Sequence, residues 1–518
     1  MNHLVVFPII LPAFTAGLLL LLGRQPGLSR LISVLSTVLL LLVAALLLIT
    51  VGAGDYFTYA LGDWQAPFGI LLMLDRLSAL LIMVTALVAL AAVVYATQGW
   101  DAKGKYFHAL FQFQLMGLNG AFLTGDLFNL FVFFEVLLIA SYCLLLHGLG
   151  QKRLKAAVHY VAINLTGSAV FLIAVSLLYS VTGTLNMAHL AERVAQAPQE
   201  DLALVRAAGL MLLGVFSVKA ALFPLYFWLP SAYSSASAPV AALFAVMTKV
   251  GVYAIVRVST LIFGVHALGE EIISPWLLPI ALLTLGLAAF GALSAKRLAE
   301  LVAYLTVASV GTMLIAFAAG GESGLSGALF YLVHSTLIVA AMFLLTELIS
   351  RARGESADQL IAGPAMTQPV MLGIAFLMGG AILAGLPLSS GFIAKLMILR
   401  SVVDSSAVVW AWAVILGASL LTLIGLARAG SMLIWSSTSG LSVSSTTPRH
   451  RGRVHAMEML PFAGLILCSL LVVVFATPVR SYMNATAAQL KNPGGYISAA
   501  IGATSDRAPR PISKGSVQ

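Results

Sequence analysis

Four ionisable side chains lie inside stretches of the sequence that are otherwise apolar: Glu135, Lys219, Lys249 and Lys395. A charged side chain near the centre of a bilayer costs about 2.5 kcal/mol or more, so such residues usually face a protein interior or a water path. Buried residues of this kind mark routes for ions or protons. The sequence therefore predicts a membrane protein that moves ions, rather than a membrane anchor.

The composition supports this class. Of the 518 residues, 60% are hydrophobic and 9% are charged, whereas soluble chains carry about 25% charged residues. The formal net charge is +9, but the basic residues occur in short clusters between apolar segments, a pattern that sets orientation in a membrane. We therefore expect a single polytopic domain in contact with the lipid bilayer, and no nucleic-acid partner.

Metal, redox and nucleotide chemistry have little support in the sequence. The two cysteines, Cys143 and Cys468, lie in apolar segments, and there is no CxxC motif, Cys/His ligand spacing or glycine-rich phosphate loop. We therefore expect no metal and no cofactor held by this chain alone. The apolar N-terminal segment lacks a basic region and a clear cleavage site, so it is predicted to be the first spanning helix.

The apolar segments predict an all-α membrane fold. A spanning helix needs about 20 predominantly apolar residues, and by this measure the chain contains about fourteen such helices. The predicted boundaries are 1–97 for an N-terminal three-helix segment, 106–263 for helices 4–8, 275–435 for helices 9–13, 457–477 for helix 14, and 478–518 for a polar tail. The tail from Arg480 onward is expected to be loosely ordered, because it is polar and contains Pro, Gly and Ser.

The loop charges predict the orientation. Lys and Arg concentrate in alternate loops, such as those around Lys103, Lys152 and Lys296, whereas the intervening loops are acidic or neutral. The positive-inside rule then places the basic loops in the cytoplasm and both termini outside. Arg257 and Arg400, near predicted outer helix ends, and the basic tail fit this pattern less well. We expect the two arginines to snorkel to the interface.

Two of the predicted helices are interrupted. Pro224 and Pro230 fall in the seventh helix, and Pro387 and Gly391 fall in the twelfth. Proline removes a backbone donor and clashes with the preceding turn, so these helices should break or kink. Paired interruptions in two halves of a chain are typical of inverted repeats with an ion path at their interface. We therefore expect two inverted five-helix repeats with discontinuous helices 7 and 12.

Two acidic residues lie on the fifth predicted helix. Asp126 is predicted to cap that helix, and the alternative is a role at a proton entrance. Glu135 lies roughly 13 Å further along the helix and therefore near mid-membrane.

Lys219 lies on the seventh predicted helix, about one turn before the Pro224 break, where freed carbonyls can stabilise an ammonium. A Glu135–Lys219 contact is expected either to switch the charge on the lysine or to be an inert ion pair.

The second half of the chain contains a further set of candidates. Lys249 has no acid nearby in the sequence and is suited to change protonation, and Lys395 follows the second break. His334 is either a hydrogen-bonded core residue or a bridge between the lysines, because an unperturbed histidine titrates near neutral pH. Glu347 is either an interfacial residue or an acidic entrance.

Three segments that contain these residues resemble a known family. They are FFEVLLIASY, KAALFPLYFWLPSAYSSASAPVAALFAVMTKVGVYAIVR and LPLSSGFIAKLMIL. They closely resemble the antiporter-like membrane subunits, which include the proton-pumping subunits of respiratory complex I and the Mrp (also called Mnh or Pha) cation/proton antiporters. The resemblance covers nearly the whole chain, and the D-type subunits of Mrp/Pha complexes are the best match.

This resemblance implies fourteen helices in two inverted five-helix repeats. It also implies a proton path in which Glu135 pairs with Lys219, and Lys249 connects through His334 to Lys395. Some relatives place a lysine one turn after the histidine, whereas this sequence has Ile338 there. The central connection is therefore expected to depend on water or on His334 alone.

The resemblance predicts a transporter subunit rather than an enzyme. It would translocate protons in a hetero-oligomeric Mrp/Pha-type complex of the bacterial cytoplasmic (inner) membrane, in exchange for Na⁺ or K⁺, and so serve pH homeostasis. The alternative is a proton-pumping subunit of a complex I-like or hydrogenase-like redox enzyme. A purely structural membrane scaffold would not explain the buried lysines.

Overall fold

The computed structural model describes residues 2–22, 25–64, 66, 69–264, 272–363, 366–435 and 452–505. These residues form α-helices together with short 3₁₀ and π segments and one β-hairpin, of strands β1 (Phe57–Ala60) and β2 (Leu71–Leu74). The helices are α1 (Phe7–Leu21), α2 (Pro26–Thr50), α3 (Arg76–Ala96), α4 (Phe107–Leu123), α5 (Leu127–Leu146), α6 (Gln151–Thr182), α7 (Met187–Ala195), α8 (Leu202–Ala220), α9 (Trp228–Ser235), α10 (Ala238–Arg257), α11 (Ser274–Ser294), α12 (Leu298–Ala319), α13 (Gly321–Arg353), α14 (Pro369–Ala384), α15 (Ser390–Ser401), α16 (Val408–Gly430), α17 (Ala456–Val474), α18 (Ala476–Lys491) and α19 (Gly494–Ser505).

Helix length and composition confirm the predicted all-α polytopic membrane fold. Within the described residues, 11 helices are long and apolar enough to cross a membrane. Helices shorter than this threshold include α1 and α14, which are also apolar. The total of fourteen spans, the boundaries of the segments and their inverted symmetry stay predictions.

Two helices form the centre of the bundle. The apolar stretches of α10 and α13 are completely buried inside the chain, whereas fewer than half of the residues in those of α2, α6 and α16 are buried. A helix that is apolar on all sides belongs in an interior, where every face meets another helix. The central helices carry Lys249 and His334, so the fold itself places these two residues far from lipid.

The two interrupted segments each form a pair of half-helices. The first gap separates α8 from α9, and the second separates α14 from α15. Each first half-helix ends on a left-handed residue, Ala221 with φ 57° and Gly385 with φ 78°. This conformation stops the helix and leaves its last carbonyls available to other donors. Both gaps therefore expose backbone oxygens inside the bundle.

The predicted break residues divide into two groups. Pro224 and Pro387 lie in the gaps, whereas Pro230 and Gly391 lie in the first turns of α9 and α15. A proline is tolerated in the first turn because its missing N–H would have no partner there. Pro230 and Gly391 therefore begin the second half-helices rather than interrupt them.

Two expectations from the sequence are wrong, namely a loosely ordered C-terminal tail and the placement of the Arg257 side chain at the interface. The tail is not loosely ordered from residue 480 to residue 505, because α18 and α19 continue the fold. The α18 helix buries one apolar face, on which Met483 and Leu490 lie. Arg257 does not snorkel: its Nη2 lies 2.7 Å from Asp75 Oδ2, and both side chains are buried. Burial of this charge is tolerated because the carboxylate, which also caps α3, compensates it.

Charged residues converge at one end of the bundle, which we call the basic end. One pocket at this end is lined by the charged residues Lys152, Arg297 and Asp358, together with Trp100. In the α3–α4 loop at this end, Asp101 accepts hydrogen bonds from Arg30 Nε at 2.6 Å and from His108 Nε2 at 3.2 Å. Burial alone would raise the pKa of Asp101, but these hydrogen bonds outweigh burial and hold the pKa at about 2.

A close helix contact depends on Gly251. A Cβ atom at this position of α10 would lie 2.4 Å from the Ala220 nitrogen at the end of α8. We expect Gly251→Ala to lower the free energy of unfolding by about 1–3 kcal/mol, because the two helices must separate. Thermal unfolding of the protein purified with its partner subunits measures the effect.

The control for this variant is Gly214→Ala in α8, where an added Cβ meets nothing within 4 Å. Its free energy of unfolding should stay within about 0.5 kcal/mol of the wild-type value. Equal melting temperatures for the Gly251 and Gly214 variants would contradict the proposed close contact.

Candidate functional site

The Ser168 hydroxyl connects Glu135 and Lys219. It donates a short hydrogen bond to Glu135 Oε1, and it accepts one from Lys219 Nζ over 3.4 Å. Lys219 is only 5% exposed and lies on the last turn of α8 before the first gap. Its ammonium also lies 5.6 Å from the centroid of the Phe134 ring, a cation–π distance. The structure thus brings the predicted acid and lysine together through a serine.

Lys249 has a hydroxyl partner on α12. Its side chain is 1% exposed, and Nζ donates to Ser309 Oγ at 2.8 Å. Ser309 in turn donates to the Thr306 carbonyl at 2.7 Å. Among the described residues, no carboxylate forms an ion pair with Lys249. An ammonium in this position is a poorly compensated buried charge, so moving its proton elsewhere relieves an unfavourable interaction.

Lys395 uses the second helix gap. Its Nζ donates to the Ala384 carbonyl at 2.8 Å and to Ser419 Oγ on α16 at 3.0 Å. Ala384 is the last residue of α14, so its carbonyl has no partner within that helix. The end of a helix carries a partial negative charge. The gap therefore supplies the oxygen that holds this ammonium.

His334 lies in the same region but has different partners. Its Nδ1 is 2.8 Å from Ser390 Oγ, and Ser390 Oγ is 2.8 Å from Ser469 Oγ on α17. The other ring nitrogen, Nε2, is buried and has no hydrogen-bond partner within the described part of the chain. A Cβ on Gly391 would lie 2.7 Å from this nitrogen, so the glycine provides the space for the ring.

A small polar cavity lies between the partners of Lys249 and Lys395. Its volume is about 20 Å³, and Ser309, Lys395 and Ser419 all line it. Other polar lining residues are Thr312, Tyr331, Ser335 and Thr422. A polar cavity of this size has room for about one water molecule. Hydroxyl groups and one water can therefore connect the two lysines, whereas His334 is not a lining residue.

The two accessory candidates lie at different places. Asp126 caps α5, because its Oδ1 accepts from Asn129 N at 2.8 Å. Burial raises the pKa of Asp126 to about 6, against the lowering effect of backbone hydrogen bonds from Asn129 and Phe128. Glu347 lines the pocket of about 410 Å³ at the basic end, together with Arg153. This pocket leads from that end toward α13.

Three serines that hold the ionisable groups were not predicted from the sequence: Ser168, Ser309 and Ser419. Single serines in apolar helices carry little information, because many bond to a carbonyl of their own helix. Ser176 does so in α6, where its Oγ donates to the Leu172 carbonyl at 2.8 Å. Only the packing of neighbouring helices distinguishes the serines that meet a lysine or a glutamate.

The fold and these contacts define a class of protein, a helical membrane protein with buried lysines beside two broken helices. The chain belongs to the NADH:quinone oxidoreductase/Mrp antiporter transmembrane family, whose model matches residues 124–422. The matched region begins just before α5 and ends within α16, so it contains all five predicted relay residues. Family membership confirms the resemblance inferred from the sequence.

Similar proteins cover nearly the full chain. The D subunit of a probable K(+)/H(+) antiporter from Rhizobium meliloti (strain 1021) is 41% identical over 532 residues, covering 95% of this chain and 96% of the relative. The D subunit of a Na(+)/H(+) antiporter from Bacillus subtilis (strain 168) is 35% identical over 504 residues, covering 97% and 100%. A chain in the structure of the Mrp complex from Dietzia sp. DQ12-45-1b has a TM-score of 0.87 at 27% identity, covering 97% of this chain and 100% of that one.

The Ser168 bridge predicts an energetic connection between α5 and α6. A double-mutant cycle of Ser168→Ala with Glu135→Gln should give an interaction energy of at least about 0.5 kcal/mol, because Ser168→Ala removes the hydrogen bond and Glu135→Gln removes the charge that strengthens it. Thermal unfolding of the purified complex provides the four stabilities. The matched control is Ser176→Ala, on the exposed side of α6, which should combine additively with Glu135→Gln. Additivity in both cycles would show that the bridge does not form.

Proposed function

We propose that this chain is the proton-translocating subunit of a multi-subunit antiporter that exchanges Na⁺ or K⁺ for protons. The names of the full-length relatives, which are D subunits of cation/proton antiporters, support this activity and its setting among other subunits. The observation that carries the proposal is the series of lysine ammonium groups inside the bundle, each held by a hydroxyl on a neighbouring helix. Lys219 and Lys249 are buried, and Lys395 is half-buried. Such a chain is a secondary transporter subunit rather than an enzyme.

The first step takes place at Glu135 and Lys219. While Glu135 is ionised, its charge acts through Ser168 to favour the Lys219 ammonium. Protonation of Glu135 removes that attraction, which is strong in a medium of low dielectric constant. Lys219 then releases its proton toward the centre of the bundle, where Lys249 receives it. The serine makes this contact easy to form and break, because a hydroxyl can either donate or accept.

The second step moves charge from Lys249 to Lys395. A proton leaves Lys249 through the Ser309 hydroxyl and a water in the polar cavity, and Lys395 receives it. The Ala384 carbonyl and Ser419 then stabilise the new ammonium. Like charges on both lysines would repel each other across the cavity, so the two protonation states are linked. His334 as the connecting residue stays the alternative prediction.

The basic end supplies the cytoplasmic opening of the proton path in this proposal. By the positive-inside rule it faces the cytoplasm of a bacterial inner membrane, and both chain termini lie outside. Its pocket reaches Glu347, whose carboxylate is an acidic group on the way to the central helices. Asp126 caps its helix at the opposite end and is an accessory candidate there.

Removal of Lys219 tests the proposed activity. In everted vesicles that contain this chain with its partner subunits, energised by ATP without NADH, Na⁺ or K⁺ should collapse the pH gradient of the wild type. We expect no collapse with Lys219→Ala, because no residue then releases a proton toward the centre of the bundle when Glu135 is protonated. The matched control is Lys155→Ala, an exposed residue near the start of α6, which should exchange normally. Co-purification of the partner subunits verifies assembly.

Normal exchange in assembled Lys219→Ala complexes would refute the proposed proton path. A different result concerns the alternative function within the same family. If neither cation collapses the gradient and protons move only when an electron donor is added, the chain is a proton-pumping subunit of a redox complex.

A pair of variants distinguishes the two routes between Lys249 and Lys395. Ser309→Ala should slow exchange roughly tenfold or more, because a hydrogen bond to a charged group is worth about 1.5–3 kcal/mol. His334→Asn, which can retain a hydrogen bond to Ser390, should keep most of the exchange rate. The vesicle assay measures both, and Ser294→Ala, on the exposed surface of α11, is the control. The reverse pattern would assign the connection to His334.

A further inference from the structure

A groove between α15 and α18 has the character of a lipid site. It lies at the end of the bundle opposite the basic end, and its volume is about 390 Å³. Its walls are one face of α15, which includes Phe392 and Leu396, and one face of α18, which includes Arg480 and Asn484. The groove therefore joins the half-helix that carries Lys395 to the C-terminal region.

The chemistry of the groove changes along its length. Phe392 and Leu396 are 40% and 39% exposed, and they give one part of the groove an apolar wall. Arg400 lies two turns beyond Phe392, which corresponds to about 12 Å along the helix. Arg480 and Asn484 approach the groove from α18. A groove that combines an apolar wall with two cationic groups matches the profile of a phospholipid, whose acyl chains adjoin a phosphate.

The guanidinium groups of Arg400 and Arg480 are unpaired within the described part of the structure. Among the described residues, neither Arg400 nor Arg480 has a side-chain hydrogen bond or an ion pair, whereas Arg297 and Arg351 at the basic end are both paired with carboxylates. No carboxylate from the described part of the chain lines the groove.

Asn484 adds a further donor. Its Oδ1 accepts from Ser326 Oγ at 2.5 Å, so its amide hydrogens are left to donate. The groove therefore presents donors and positive charge without a compensating anion from the described residues. This is a complementary environment for a phosphate group.

The same arginines deviate from the charge pattern of the sequence. Basic residues normally concentrate at the cytoplasmic ends of spanning helices, whereas Arg400 and Arg480 lie at the other end. Arginine binds phosphate in a bidentate manner and is less strongly hydrated than lysine. An anionic ligand at this end explains why both positions are arginine.

We propose that the groove binds an anionic phospholipid, with its phosphate between Arg400 and Arg480 and an acyl chain along Phe392 and Leu396. A soluble phosphate would use the arginines but not the apolar wall, so the lipid is the better match. Bound lipid would tie α15 to α18 and so hold the half-helix that carries Lys395. The site requires only that the chain lies in a membrane, so it stands or falls independently of the proposed transport activity.

Lipid-dependent unfolding tests the proposal directly. The protein, purified with its partner subunits in detergent and depleted of lipid, is titrated with phosphatidylglycerol, phosphatidylcholine or inorganic phosphate while its melting temperature is measured. Phosphatidylglycerol should raise the melting temperature of the wild type. The half-saturating concentration should increase about tenfold or more in the variant Arg400→Gln/Arg480→Gln, because two charge-assisted contacts are lost.

Two further variants control for charge and for folding. Arg193→Gln removes an exposed arginine of α7 and should bind phosphatidylglycerol like the wild type. Arg400→Lys keeps the charge but not the bidentate geometry, so it should fold normally and give an intermediate affinity.

Three results would overturn the proposal. The first is an unchanged response to phosphatidylglycerol in Arg400→Gln/Arg480→Gln. The second is equal stabilisation by inorganic phosphate, which would indicate a site for a free anion. The third is photo-crosslinking from position 396 that captures another subunit instead of lipid, which would indicate a protein occupant.

Discussion

The central constraint on this molecule is the cost of a positive charge inside an apolar bundle. Lys249 and Lys395 have no carboxylate partner in the described structure, so oxygen atoms of another kind must hold their protons. Serine hydroxyls and a helix-end carbonyl provide them. Neutral oxygens stabilise an ammonium less than a full ion pair does, and this leaves the protons able to move. A permanent buried ion pair is found instead where no movement is proposed, at Asp75 and Arg257.

The two helix gaps follow from the same constraint. Within a continuous helix, the carbonyls accept hydrogen bonds from N–H groups of the same helix. At a helix end, the last carbonyls have no such partner and can therefore accept from a buried cation. The gap after α14 places the Ala384 carbonyl against Lys395, and the gap after α8 directly follows Lys219. Close packing makes these positions reachable. Gly251 lets α10 approach the end of α8, and Gly391 leaves room for the His334 ring.

Much of the fold was predictable from the sequence, because a membrane-spanning helix is recognised from its own run of apolar residues. Long apolar runs predicted the spanning helices, and prolines between apolar halves predicted the gaps. The wrong expectations concern contacts between distant segments. Polar composition predicted a loose tail, but α18 has an apolar face that packs on the bundle. Arg257 was expected at the interface because its carboxylate partner, Asp75, lies far from it in the sequence.

The sequence by itself determined that Lys219 and Lys249 lie inside the bundle. A lysine in the middle of a membrane-spanning helix faces the protein interior or a water-filled cavity, because contact with lipid is costly. Only the tertiary structure decided which groups these residues meet, because that depends on how helices rotate against one another. The Ser168 bridge and the polar cavity beside Ser309 are each built from several helices. Residue spacing within a single helix does not predict a contact between helices, so the hydrogen-bond partners of the lysines are known only from the packed bundle.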